Sequence, residues 1–147
     1  LPESGAILVH LAEKTGRLLP SDPVARARTF EWLFVQMSGT GPAFGQSGHW
    51  QKLAAERNDS AIPRYQAEAD RLADLIDTHL ANHEWFAGTD FTIADIAHFG
   101  WFWRREFAGV SLDTRPHLAR WYAAMAARAA VQRGIAATTA LAQTQAA

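Results

Sequence analysis

Phe91-Thr92-Ile93-Ala94-Asp95-Ile96 is the stretch whose reading decides the fold. Thr92 is placed to accept from the amides of the turn that follows, and Asp95, three residues on, to accept from the Thr92 amide in return. Phe91 and Ile96 occupy the flanking apolar positions that staple such a start. A helix is therefore predicted to open at Ile93. From there to Trp103 apolar residues lie nearly all round the helical wheel, interrupted by Asp95 and His98, as in a helix packed on every side. The run is about half of the ~20 residues needed to span a membrane, so it reads as a buried core helix.

Upstream of it, Tyr65, Ala69, Leu72 and Ile76 recur at four- and three-residue steps and predict a long helix ending near Asn82. Further upstream, Asp22-Pro23 pairs an N-cap with a first-turn proline ahead of the stripe Phe30, Leu33, Phe34 and Met37. Trp32 and Val35 lie off that stripe. Two apolar faces predict two neighbours, one of them a second subunit or a ligand. Ser38-Gly39-Thr40-Gly41-Pro42 is expected to bend or break this helix, since two glycines weaken it and Pro42 withholds a donor. The following Gln46-Ser47-Gly48-His49-Trp50 reads as a polar loop, with a ligand-facing edge as the alternative.

At the two ends, Ile7, Leu8 and Leu11 with Gly16 as a left-handed cap predict a helix over Ser4–Thr15. Pro116 opens another with Leu118, Trp121, Tyr122 and Met125, and Val131 to Leu141 add a last one, followed by an Ala/Gln/Thr tail expected to fray. Neither strand alternation nor an internal repeat is present. The fold class expected is an all-α bundle.

Composition narrows the function classes. The 147 residues carry a formal net charge of -1 with scattered arginines, so they lack the basic footprint that grips a phosphate backbone, and nucleic acid is not an expected partner. The absence of cysteine excludes a disulfide scaffold, a thiolate metal site and a nucleophilic thiol within these residues; it agrees with the cytoplasm. The sequence opens at Leu1 rather than Met and without a secretory signal, which raises the expectation of missing upstream sequence.

Pro2-Glu3-Ser4-Gly5 puts a carboxylate and a hydroxyl where a helix begins. Free amides and the positive end of the helix dipole favour an anion there. An amino acid's carboxylate suits that place, and Glu3 would meet the matching ammonium group. The plainer alternative is that Ser4 merely caps the helix. His79 and His83, four apart, are one possible metal pair, but no third ligand is evident and no metal is expected. Asp95, which has the look of an acid catalyst, is better explained as the partner in a capping box.

The order of these features resembles the glutathione transferases, most closely the bacterial Nu-type branch with glutathione-dependent disulfide-bond reductase activity. The resemblance runs through Glu3-Ser4-Gly5-Ala6-Ile7-Leu8, Leu11-Ala12-Glu13-Lys14-Thr15-Gly16, Trp32-Leu33-Phe34 with Gln36-Met37, Gly41-Pro42 with Gly45-Gln46, Arg64-Tyr65-Gln66, Thr92 to Ala97, Arg120-Trp121-Tyr122 and Ala130-Val131-Gln132-Arg133-Gly134. It implies a glutathione transferase C-terminal-like helical bundle over residues 21–147, with residues 1–20 as the last helix of a thioredoxin-like domain. It implies that Glu3 and Ser4 hold the γ-glutamyl group of glutathione, that Arg64 and Gln46 border the active cleft, and that Thr92 and Asp95 form the family's folding motif. Glutathione as co-substrate, a hydrophobic or disulfide second substrate, a cytoplasmic homodimer and no membrane association follow in the same way.

Three departures qualify the match. The family's thiol-activating residue belongs to the N-terminal domain, so no catalytic residue is expected within this segment. Pro63 precedes Arg64 where the family has an acidic helix residue, which is expected to shift the helix start and re-aim Arg64. Ala129 replaces a proline, so the last two helices are expected to run together more smoothly. The rival reading is a non-catalytic helical interaction module that kept the ligand-holding and subunit surfaces.

Overall fold

The centre of the molecule is the helix that opens after Thr92. In the computed structural model, which describes residues 1–145, α5 (Ile93–Trp103) begins with both arms of the capping box made. The Thr92 hydroxyl accepts from the Ala94 amide at 3.3 Å, and the Asp95 carboxylate accepts from the Thr92 amide at 2.9 Å. Ile93, Ala94, Asp95, His98, Phe99 and Phe102 are buried, because α5 is covered by α1 (Ser4–Thr15), α2 (Pro23–Val35), α3 (Gly41–Gly48) and α6 (Pro116–Ala126). Phe86 meets Trp121 edge-on at 5.1 Å, and Phe44 meets Phe102 likewise at 5.2 Å, the arrangement that ring quadrupoles favour. Phe91 does more than staple: its ring lies between Trp85 at 5.3 Å and the Arg128 guanidinium at 3.7 Å. About 70% of the chain is helical, and among the described residues the only β pairing is an isolated bridge between Trp85 and Gly88.

Of the expected bend or break at Ser38–Pro42, a break out of the helical backbone does not occur; α2 ends at Val35 in a π-turn. After α2, whose first amides bind Asp22 Oδ1 at 3.1 and 2.9 Å, the backbone stays right-handed through a π-turn at Gln36–Thr40, α3, and a second π-turn at His49–Leu53. A π-turn admits one extra residue and shifts the ladder of hydrogen bonds, so Pro42, near the start of α3, withholds its donor where the ladder already changes step. Gly41 serves close packing instead of chain reversal: a Cβ there would lie 3.1 Å from Trp101 Nε1. Gln46 to Trp50 is consequently helix rather than loop. Ser47 and Gly48 are buried, and the Ser47 hydroxyl donates to the Ala108 carbonyl at 2.8 Å.

Pro63 likewise leaves its helix intact. α4 (Ala61–Leu80) starts before it because Asn58 Oδ1 accepts from the Ser60 and Ala61 amides at 3.1 and 3.0 Å. Pro63 then falls in the first turn, where an amide has no intrahelical partner to lose. α4 and α6 cap one another. Asp77 Oδ1 accepts from the His117 and Leu118 amides at 2.9 and 2.8 Å, while Arg120 donates to the Leu80 and His83 carbonyls at 2.8 and 2.9 Å. Beside them the buried Arg115 guanidinium binds Asp74 at 2.7 Å and Asp70 at 2.9 Å. α6 and α7 (Ala129–Gln145) remain separate helices, interrupted at Ala127 and Arg128, although Ala129 supplies no proline. α7 passes the expected end at Leu141, so the Ala/Gln/Thr tail is helical through Gln145; the expectation of fraying at Ala146 and Ala147 lies outside the described residues.

Candidate functional site at the opening of the first helix

The chain enters α1 through an uncommon backbone. Glu3 has φ 69° and ψ 111°, a positive φ that a side-chain-bearing residue adopts at a cost. Ser4 follows as the first helical residue, and no side chain caps the helix, which corrects the plainer reading of Ser4 as a cap. The Ile7 amide is bonded to the Glu3 carbonyl at 3.0 Å, so the amides of Ser4, Gly5 and Ala6 precede the first backbone bond and face outward. The Ser4 hydroxyl donates to Met37 Sδ at 3.9 Å. Glu3 and Ser4 are exposed. An anion seated here would meet free amides and a hydroxyl, with a carboxylate alongside for an ammonium group.

The rest of α1 is fixed firmly. Ala12 packs with Leu33 and Ile93. The left-handed Gly16, φ 65°, ends the helix, and the Ile93 amide reaches back to the Leu18 carbonyl at 3.0 Å. Glu13 and Arg26 form an ion pair at 2.7 Å. The C-terminal end of α1 is thus held against the capped start of the central helix.

The other residues singled out in the sequence are more dispersed. Gln46 lies on α3 and Arg64 in the first turn of α4, both exposed. Among the described residues, no hydrogen bond or ion pair joins either one to Glu3, to Ser4 or to the other. Thr92 and Asp95 are buried in the core. Asp95 accepts from the Phe86 amide at 3.1 Å, the Thr92 amide at 2.9 Å, the Thr92 hydroxyl at 3.3 Å and Trp121 Nε1 at 2.9 Å. Desolvation pushes its carboxyl above the usual range, while these donors pull it back. It faces donors on every side and no solvent, an architecture for holding α5, α6 and the preceding loop together.

His79 and His83 stack face to face at 4.2 Å instead of converging on a point. One nitrogen of each is bound to a backbone carbonyl, that of Phe86 and that of His79, both at 2.9 Å. No cluster of three metal-ligating side chains exists among the described residues. The other face of His79 covers Trp32 at 4.1 Å. Trp32 is therefore only 8% exposed and belongs to the core. An outward aromatic residue of α2 is Phe34, 63% exposed and stacked on Phe30 at 6.0 Å. Met37, the neighbour of Ser4, was read in the sequence as part of an apolar stripe and of the family resemblance, not as a site residue; nothing in its spacing marks it as one.

Comparison with known proteins agrees with this architecture. The family model described as glutathione S-transferase, C-terminal domain, matches residues 34–129. The disulfide-bond oxidoreductase YfcG of Escherichia coli is 38% identical over 135 residues, covering 90% of this chain and 62% of that protein. The disulfide-bond oxidoreductase YghU of the same organism is 39% identical over 140 residues, covering 90% of this chain and 48% of that protein. A glutathione transferase of Burkholderia graminis, solved with two glutathione molecules bound per subunit, superposes with a TM-score of 0.85 at 39% identity, over 91% of this chain and 59% of that one. The chain thus spans about half to three-fifths of the length of these relatives. With the matched domain covering most of its helices and these relatives well above 30% identical, the chain belongs to the glutathione S-transferase family.

Proposed function

We propose that this chain grips the γ-glutamyl end of glutathione at the opening of α1, within a protein whose complete form conjugates glutathione or uses it to reduce disulfides. The observation that carries this reading is the similarity, over nine-tenths of the chain, to a transferase solved with glutathione bound. The Ser4 hydroxyl and the free amides of α1 would take the γ-glutamyl carboxylate, and Glu3 its ammonium group. Residues 1–20 would then close a thioredoxin-like domain and residues 21–147 form the helical one. Gln46 and Arg64 would border a cleft for a hydrophobic or disulfide co-substrate.

On this reading none of these residues activates the thiol, and the hydrogen-bond donor that stabilises the reactive thiolate would come from outside them. In the disulfide reaction that thiolate attacks one sulfur, a mixed disulfide forms and the other sulfur leaves as a thiolate; a second glutathione then releases glutathione disulfide and the reduced thiol. The protein is read as a cytoplasmic homodimer, with the Phe34 face of α2 in the subunit contact. The test is calorimetric titration of the full-length gene product with glutathione. Replacing Glu3 and Ser4 together by Ala is expected to weaken binding at least tenfold; equal affinity with and without these two side chains ends the proposal.

A further inference from the structure

We infer that Met37 is a positioning residue for the glutathione carboxylate: its thioether aims the Ser4 hydroxyl and seats the first turn of α1. The inference rests on the reading of Ser4 given above. Met37 lies in the π-turn between α2 and α3, and its side chain crosses to the opening of α1. There Sδ is 3.9 Å from Ser4 Oγ. A Cβ on residue 5 would lie 3.1 Å from both Cε and Sδ of Met37 and 3.3 Å from Cγ. Gly5, buried though it lies in the first turn of α1, is thus the surface on which the Met37 side chain rests.

The chemistry of sulfur suits this role. A thioether is a weak acceptor. It biases the hydroxyl rotor toward one direction yet releases the proton readily when an ionised carboxylate, a much stronger acceptor, arrives. An amide oxygen at the same place would hold the hydroxyl more tightly and compete with the ligand. A hydrocarbon would preserve the packing on Gly5 but leave the hydroxyl free to rotate. At the start of the π-turn Gln36 is buried in the core and the Met37 side chain reaches α1.

Glutathione titrations of the full-length gene product test the inference through two substitutions, each with its thermal unfolding midpoint measured alongside. Met37→Gln is expected to raise the dissociation constant about tenfold and Met37→Leu about threefold. With a glutathione analogue whose γ-glutamyl carboxylate is amidated, the gap between the unaltered protein and both variants is expected to shrink to less than about twofold, because the neutral amide oxygen that replaces the carboxylate is a much weaker acceptor for the aimed hydroxyl. Should Met37→Gln fail to fold, the Leu variant and the amidated analogue still decide. If Ser4→Ala weakens glutathione binding while both Met37 variants match the unaltered protein, the role of Met37 is disproved and the site stands. If Ser4→Ala has no effect, the site itself is wrong. An equal loss for glutathione and its amide reduces Met37 to packing and overturns the inference.

Discussion

Trp121 donates its indole N–H to Asp95 at 2.9 Å, tying the middle of α6 to the first turn of α5 inside the core. Because the same carboxylate also receives the Phe86 and Thr92 amides, one side chain satisfies donors from three parts of the chain. Removing it strands all of them out of water, and each buried unpaired donor costs about 1–3 kcal/mol. Asp95→Ala is therefore expected to lower stability by about 3–5 kcal/mol in chemical denaturation. Trp121→Phe, which removes a single donor and keeps a ring, is expected to lose roughly 1–2 kcal/mol. Equal, small losses for the two would show that the carboxylate is not the hub.

Acid stability should report on His98. Its Nε2–H donates to the Trp32 carbonyl at 3.0 Å, and Nδ1 has no partner among the described residues. Burial depresses its pKa from 6.5 to about 3. Between those values the unfolded chain binds a proton that the folded chain refuses, so the contribution is intact above about pH 6.5 and declines as pH falls toward 3. From pH 7 to pH 5 the loss is about 2 kcal/mol. His79, also depressed by burial, acts in the same sense. His98→Gln keeps a donor and cannot titrate. Denaturation curves at the two pH values should show it losing less than half as much as the unaltered protein, and identical losses would remove His98 from the account.

Why some of this was legible in the sequence, and some was not, follows from the range of the interactions. The start of α5 is encoded within four residues, and Asp22-Pro23 before α2 is equally local, so both could be read directly. The π-turns were not, because what keeps Gly39, Gly41 and Pro42 helical is Leu72 from α4 and Trp101 from α5 packed against the two glycines, both distant in sequence. The partners of Trp32 were hidden for the same reason: the rings that bury it, His79, Phe86 and His98, lie on elements whose packing no periodicity reveals. At the candidate site, the Glu3-Ser4 pair was visible as a charged residue and a hydroxyl at a helix start. The sulfur beneath it was not.

Two glycines inside helices should respond to the same substitution in opposite ways. Gly100, on α5, has no atom within 4 Å of an added Cβ, so Gly100→Ala should gain about 1 kcal/mol by stiffening the unfolded chain and favouring helix. At Gly48 the added carbon would run into the ring of Phe107, which occupies its place. Displacing a packed aromatic ring is an overpacking change worth about 1–3 kcal/mol, more than the helix gain, so Gly48→Ala is expected to destabilise. Thermal midpoints rising for Gly100→Ala and falling for Gly48→Ala satisfy both expectations; a rise at Gly48 would mean that α3 and the Phe107 loop are not packed as described.

The proposed subunit contact can be tested at Phe34. Its ring is mostly exposed on α2 and stacks on Phe30, over which the Arg26 guanidinium sits at 5.2 Å. It borders a groove between α1 and α2 formed with Val9, Leu33 and Met37. An apolar ring left in water here is a surface that association would bury, and a charge in its place would have to be desolvated without a partner. Phe34→Glu is therefore expected to weaken self-association of the full-length gene product at least a hundredfold in sedimentation equilibrium, which is about 3 kcal/mol, while leaving the helical circular dichroism unchanged. A dimer that survives the substitution with its affinity intact would place the subunit contact on another face, and the exposure of Phe34 would then need a different partner to explain it.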